Sequence, residues 1–231
     1  MKQILSIGLP ALGVGDTCIP DLEKFVDMLL ERNQVMNLTA ITEPDQVARL
    51  HLLDSLSLLP VEAFAGKAVI DVGTGAGFPG IPLAIVQQDA DFTLLDSLGK
   101  RIRFLDEVRE ALGLGNVTCV HGRAEEFAAE HRESFDLAVS RAVAALPVLC
   151  ELCLPLVRPG GKFLAMKSVE SDGELSAAKH AIETLGGAVS GVWDYEIPGT
   201  EVRHRLILVE KVKKTPEKYP RMFAKIKKNP L

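Results

Sequence analysis

No apolar run in this sequence reaches the roughly 18–20 residues that cross a bilayer, and its start lacks a basic stretch followed by an apolar signal segment. Both absences speak against a membrane partner, and a cytoplasmic protein is expected. Cysteine is sparse, with Cys18, Cys119, Cys150 and Cys153 the only four. Cys150 and Cys153 form one C-x-x-C inside a predicted helix, and no second pair stands at zinc spacing. A buried, reduced pair is the expectation, and no metal. Aromatic residues make up 5% of the chain, with a single tryptophan. Trp193 and Tyr195 fall in a predicted strand, where packing is expected rather than stacking on bases. What is present, 47% hydrophobic and 25% charged residues, excludes disorder, collagen and a coiled-coil rod.

Charge is unevenly placed. Residues 211–231 hold eight Lys or Arg against one Glu, so they carry about +7 of a chain whose net charge is −5, leaving −12 on the other 210 residues. A basic peptide on an acidic body suits an anionic partner, or simply a solvated terminus.

Three segments are expected: a helical extension over 1–66, an α/β domain over 67–212 and a basic tail over 213–231. Leu22, Phe25, Val26, Leu29 and Leu30 recur at helical spacing. The period breaks between Asn33 and Thr42, and a second helix is predicted from Pro44 to Leu59, stopped by Pro60. From Lys67 onward, short apolar runs at Ala68–Val72, Phe92–Asp96, Val117–His121, Phe135–Val139 and Lys162–Met166 alternate with helical stretches, notably Lys100–Leu112 and Leu146–Val157. That alternation predicts a mostly parallel sheet with helices on both faces. Ala188–Ile197 and Arg205–Val212, joined only by a loop, bring the strands to seven and predict an antiparallel edge.

The strongest local signal is Asp71-Val-Gly73-Thr-Gly75-Ala-Gly77-Phe78-Pro-Gly80, between a predicted strand and a helix. In an open α/β sheet such a loop lies at the carboxyl edge of the first strand, where ligands bind. A dinucleotide fingerprint wants G-x-G-x-x-G; here the third glycine comes one residue early and Phe78 takes the sixth position, which crowds a pyrophosphate. Asp96 ends the second strand 21 residues after Gly75, where a carboxylate can accept both hydroxyls of a ribose. Loop and acid together indicate a nucleoside, and the spacing favours S-adenosylmethionine over a nicotinamide dinucleotide. The Gly122-Arg123-Ala124-Glu125 turn would pass beside the adenine, or merely begin a helix with favourable carboxylates. Ser140-Arg141-Ala142 ends the fourth strand at the rim where chemistry would occur.

Amino-group methylation of adenine commonly uses an Asp/Asn-Pro-Pro-aromatic segment after the fourth strand, where this chain reads Ser140-Arg-Ala-Val. Cytosine C5 methylation needs a cysteine nucleophile, commonly preceded by proline, and none of the four is so preceded. A target needing neither base nor covalent intermediate remains, and guanine N7 fits, because its in-plane lone pair carries no proton. The work is then alignment and management of the charge passing to the purine. A non-catalytic nucleotide-binding protein, regulatory or concerned with ribosome assembly, also lacks those motifs and stays open.

Asn37-Leu-Thr-Ala-Ile-Thr, His51-Leu-Leu-Asp54-Ser, Asp71 through Gly-Phe-Pro-Gly-Ile-Pro, Leu95-Asp-Ser with Lys100-Arg101, Ser140-Arg-Ala and Tyr219-Pro-Arg together closely resemble the glucose-inhibited division protein B family, from about residue 20 to the end. The resemblance implies a Rossmann-like class I methyltransferase that modifies N7 of a guanine in the decoding region (the 530 loop) of 16S rRNA. It implies S-adenosyl-L-methionine as cofactor, S-adenosyl-L-homocysteine as product, and contacts at Gly73, Phe78, Ala124, Glu125 and Arg141; Gly75, Gly77 and Asp96 join them from the loop and ribose argument. The expected partner is 16S rRNA or a partly assembled small subunit, not DNA, met by a monomer. Family tails are often Pro- and Gly-rich, whereas Met222-Phe-Ala-Lys-Ile-Lys is less broken, which leaves the tail's conformation open.

On the substrate side, His51 and Asp54 share a helix face and are expected near the pocket mouth, or as a plain surface pair. Asn37 would orient the purine or cap a helix. Lys167, ending the fifth strand, would meet an RNA phosphate and, with Arg141, position the reactants; no general base is assigned. Arg203, His204 and Arg205 would extend the basic surface, and RNA affinity would be largely electrostatic.

Overall fold

The structure, a computed structural model, describes residues 1–141 and 144–231. Ala142 and Val143, from the segment expected to close the fourth strand, lie outside the described residues.

The chain opens with α1 (Lys2–Gly8) and α2 (Ile19–Met36), whose apolar stripe Leu22, Phe25, Val26 and Leu29 is buried. Asn37 ends α2 in the left-handed region, φ 50°, a common helix terminus for asparagine. Asn33 then ties the following loop: its side chain accepts from the N–H groups of Leu38 and Thr39 and donates to the Thr39 carbonyl. The single helix predicted over Pro44–Leu59 is three pieces, α3 (Pro44–Val47), a π-helical stretch Ala48–Leu53 and α4 (Asp54–Leu56). Apolar spacing cannot distinguish a π turn from an α turn. Here Asp54 N–H reaches back to the Arg49 carbonyl, while the His51 carbonyl accepts from the Ser55 hydroxyl at 2.6 Å. Side chains thus satisfy carbonyls in a stretch where the regular ladder has slipped.

The α/β part follows as β1 (Ala68–Val72), α5 (Gly80–Val86), β2 (Asp91–Asp96), α6 (Gly99–Leu112), β3 (Val117–His121), α7 (Ala124–Glu130), β4 (Phe135–Arg141), α8 (Leu146–Cys153), β5 (Val157–Ser168), α9 (Asp172–Thr184), β6 (Gly187–Glu196), β7 (Arg203–Lys211) and α10 (Phe223–Lys228). The seven strands lie in the order β3-β2-β1-β4-β5-β7-β6, parallel through β5. Strand β7 runs antiparallel to both β5 and β6. The antiparallel strand is therefore next to last: β6 takes the rim and the short Ile197–Val202 connection folds β7 back into the gap. The order reverses between β1 and β4, which opens a crevice above their carboxyl ends.

Alternate strand residues face opposite layers. Val69, Leu137, Leu164, Met166, Leu206 and Leu208 pack with α1, α2 and the π stretch, while Ile70, Ala138, Phe163, Ala165, Ile207 and Val209 pack with α8 and α9. The second layer also receives Tyr219 and Ile226 from the basic tail. Cys150 and Cys153 are fully buried in α8 with free thiols, and burial pushes the Cys153 thiol well up.

Candidate active site

At the crevice above β1 and β4 lies a cavity of about 950 Å³. Its floor is the glycine loop. Gly75 holds φ +62°, a conformation costly for any residue with a Cβ, and its N–H donates to Asp96 Oδ2 at 3.0 Å. Gly80 opens α5 so close to the strand that a Cβ would collide with Leu94 and Asp71. Asp71 is fully buried beneath the loop; Oδ2 accepts from Gly80 N–H at 2.9 Å, while Oδ1 and the neighbouring Thr74 hydroxyl have no partner. Burial pushes the Asp71 carboxyl up to about 7.

Asp96, 4% exposed, ends β2 at one side of the cavity. It accepts from Gly75 N–H, from Leu98 N–H at 2.8 Å and from Arg101 Nη1 at 3.2 Å. A carboxylate offers about four acceptor positions, so one further donor fits as the site stands. A ribose offering both hydroxyls would have to replace Arg101.

The opposite wall is built by the N-terminal helices and β7. Arg141, at the end of β4, donates to Asp54 Oδ2 at 2.8 Å, and its guanidinium lies 4.9 Å from the centre of the Phe78 ring. Phe78 is held from behind by Phe25 of α2 (5.3 Å between centroids) and flanked by His51 (4.7 Å). Asp54, expected at the mouth, is fully buried and is the hub of the wall. Its Oδ1 also accepts from the Tyr195 hydroxyl and from His204 Nδ1, both at 2.8 Å. Burial pushes Asp54 upward, but the His204 hydrogen bond and the Arg141 charge outweigh it and hold the carboxyl below its usual range. The same bond raises His204. His51 is the reverse case: burial, then the Arg141 cation, lower it to about 4. Its ring is engaged at both nitrogens, Nδ1 lying 3.0 Å from the Leu50 carbonyl and 3.3 Å from Arg141 Nη2, and Nε2 lying 2.9 Å from the Thr39 hydroxyl.

Of the residues expected to hold the cofactor, Gly73, Gly75, Phe78, Asp96 and Arg141 line this cavity. Gly77, Ala124 and Glu125 lie outside its lining. Gly77 packs toward Ile81 and Leu105; Ala124 packs into the second core layer; Glu125 accepts from Arg123 Nε at 2.7 Å. The turn before them still abuts the site, because Gly122 N–H donates to the Asp96 carbonyl. Of the substrate-side residues, His51, Asp54, His204 and Lys167 line the cavity and Asn37 and Arg203 do not. Asn37 is an exposed helix terminus. Lys167 is neutralised: its ammonium lies 2.8 Å from Glu174 Oε2 and donates to the Ala144 carbonyl at 2.6 Å. Arg205, expected on the basic surface, is paired with Asp194 and Asp172.

Thr39, Thr74, Tyr195 and Glu174 are contributors the sequence did not reveal. Asp71 and Thr74 stand in the glycine motif itself, so a signal was present. Tyr195 joins the site only through its register opposite His204, which no local pattern discloses. Among the described residues, no three His, Cys, Asp or Glu side chains converge to hold a metal.

The cavity's lining suits an adenosyl ligand, with a buried carboxylate at one end, a backbone cradle and the unpartnered Thr74 hydroxyl, provided Arg101 yields its place on Asp96. A family model described as rRNA small subunit methyltransferase G matches residues 18–201. Among curated relatives, a protein named Ribosomal RNA small subunit methyltransferase G from Clostridium perfringens (strain 13 / Type A) is 48% identical over 210 residues, 90% of this chain and 88% of the relative. One of the same name from Alkaliphilus metalliredigens (strain QYMF) is 46% identical, covering 100% of this chain and 98% of its own. Solved structures share the fold at low identity. Precorrin-6y C5,15-methyltransferase from Geobacter metallireducens GS-15 has a TM-score of 0.51 at 17% identity, covering 68% of this chain and 85% of that one. M. jannaschii TYW2 in complex with AdoMet has a TM-score of 0.53 at 15% identity, covering 64% and 71%.

Proposed function

This chain belongs to the rRNA small subunit methyltransferase G family, and on that premise we propose that it transfers a methyl group from S-adenosylmethionine to N7 of a guanine in the decoding region, the 530 loop, of 16S rRNA. The bound cofactor supplies an electrophilic methyl on a sulfonium. Gly73, Gly75, Phe78, Asp96 and Arg141 would hold it, with Ala124 and Glu125 flanking, and S-adenosylhomocysteine would leave from the same residues. His51, Asp54 and His204 would bound the purine, with Asn37, Lys167 and Arg203 at the margin. The protein would act in the cytoplasm as a monomer, on rRNA or a partly assembled subunit.

The observation that carries the reading is the state of the wall facing the glycine loop, where every candidate base already has donors on it. Asp54 accepts from Arg141, Tyr195 and His204, both nitrogens of His51 are engaged, and Glu174 is held by Lys167 and Leu146 N–H. Such a wall suits a nucleophile that carries no proton. Asp54 also offsets the positive charge gathered on it by Arg141 and His204, which lessens the wall's repulsion of a purine that becomes cationic as the methyl arrives. Arg141, stacked on Phe78, fixes the spacing between the two sides.

The test is methylation of small-subunit RNA and of partly assembled subunits with labelled cofactor, followed by borohydride and aniline scission, which cuts at N7-methylguanine. Scission at one guanine of the decoding region is expected. Label at any other atom, or no label on either substrate, overturns the proposal.

A further inference from the structure

The basic tail is ordered by an elaborate set of anchors. Lys211, fully buried, donates to the Leu154 and Val157 carbonyls and lies 3.2 Å from Glu133. Glu133 also accepts from Thr215 N–H at 2.7 Å. Arg132 donates to the carbonyls of Thr215, Pro216 and Tyr219. Arg221 clasps Glu151, itself fully buried, through its backbone N–H at 2.9 Å and its guanidinium. Ile226 of α10 is buried in the core.

These anchors consume some of the basic residues and leave the others free. Before the tail, Lys67 and Lys162 pair with Glu62 and Lys167 with Glu174, and the unpaired lysines there are scattered rather than clustered. Lys213, Lys214, Lys218, Lys225, Lys227 and Lys228 are exposed, and among the described residues none of the six is in an ion pair. The body behind them is acidic, which restricts where a polyanion can approach. Only the start of α10 approaches the site, while Lys213, Lys214 and Lys218 lie at the opposite, amino edge of the sheet, beside Gly186, Glu133 and Arg132. Arg123 caps α7 beside Gly122, whose N–H bonds the Asp96 carbonyl, and the Arg123 guanidinium lies 5.0 Å from the Phe223 ring that begins α10.

We infer that the lysines of residues 213–228 form a fixed docking face for the phosphate backbone of the RNA substrate, running from the amino edge of the sheet to α10, whose start faces the Asp96 side of the cavity. The choice of RNA as partner rests on the function proposed above. Anchoring is what turns a mobile charged peptide into a surface: the phosphates meet cations whose spacing the body has set, so the contacts position the RNA as well as attract it.

The test uses the full chain in two neutralised variants, Lys225→Gln/Lys227→Gln/Lys228→Gln and Lys213→Gln/Lys214→Gln/Lys218→Gln. All six side chains point to solvent, and a thermal melt checks that both variants fold. Filter binding to small-subunit RNA is measured over a range of salt without cofactor, so the result does not depend on methyl transfer. Each phosphate contact contributes about 0.7–0.9 to the slope of log affinity against log salt. Each triple variant should lower that slope by about 2 and weaken binding about tenfold near physiological salt, with S-adenosylhomocysteine affinity unchanged. Wild-type affinity and slope in both variants would overturn the inference, even if methylation of the guanine proceeds; a loss of RNA binding supports it, even if the modified atom proves to be another.

Discussion

Replacing Asp54 with asparagine should cost more stability than any other isosteric change in the site. The carboxylate is fully buried, its Arg141 partner is 14% exposed, and the pair lies at 2.8 Å. With charge centres about 4 Å apart and an effective dielectric constant near 20, the attraction is about 4 kcal/mol. Removing one partner of a buried pair typically costs about 3–5 kcal/mol, because the other charge stays behind unpaired. Asparagine keeps one carbonyl acceptor, so the lower end applies, about 3 kcal/mol. His204 adds a smaller share than Arg141, since its side chain is 33% exposed and partly screened by solvent. For a chain of this length the loss should appear as a fall in Tm of roughly 6–12 °C. Urea denaturation at pH 7 measures it directly, and the double variant with Arg141→Met should be less than additive by about 2 kcal/mol. A loss below about 1 kcal/mol, or full additivity, would refute the assignment of Asp54 as the electrostatic hub.

Asp96→Ala should weaken S-adenosylhomocysteine binding at least tenfold in calorimetry while leaving small-subunit RNA binding intact; unchanged affinity for the nucleoside would remove Asp96 from the cofactor site. The His204–Asp54 contact has a definite sign with pH. Because His204 is raised in the fold, its contribution is full below an ordinary histidine value of about 6.5 and fades as pH climbs through the raised value. His204→Gln should therefore flatten the alkaline side of the stability profile relative to wild type, in melts between pH 6 and 9; two parallel profiles would contradict the pairing. Gly80→Ala, whose Cβ meets Leu94 and Asp71, should destabilise by about 1–3 kcal/mol as an overpacked contact does, and a melt indistinguishable from wild type would mean that α5 can shift away.

The alternation of strand and helix was legible from residue 67 onward because a buried parallel strand needs a short β-branched or apolar run and little else. Strands β1, β2 and β3 begin or end within a residue of the expected positions. The Pro44–Leu59 segment misled: its apolar spacing is helical, yet the local backbone slips into a π turn whose carbonyls are claimed by the nearby Ser55 hydroxyl and by Arg141 from the end of β4. Lys167 misled in a different way. Its position at a strand's carboxyl end was read correctly, but its charge is cancelled by Glu174 of α9, a residue seven positions away whose approach depends on how α9 packs. The tail's charge could be counted, whereas its order could not, because the anchors Glu133 and Glu151 lie far back in the chain.

By itself the chain's order of residues determined what is local: the glycine turn that only a missing Cβ permits, the acid at the end of the next strand, the cation at the end of the fourth and the charge of the tail. Tertiary structure alone decided which groups answer them. Asp54, Tyr195, His204 and Arg141 come from three distant stretches of sequence and meet on one carboxylate, because a π turn, a returning antiparallel strand and a sheet crossover end at the same edge. Protonation there follows from burial and from that meeting, and so one histidine is held neutral while the other is pushed toward its charged form.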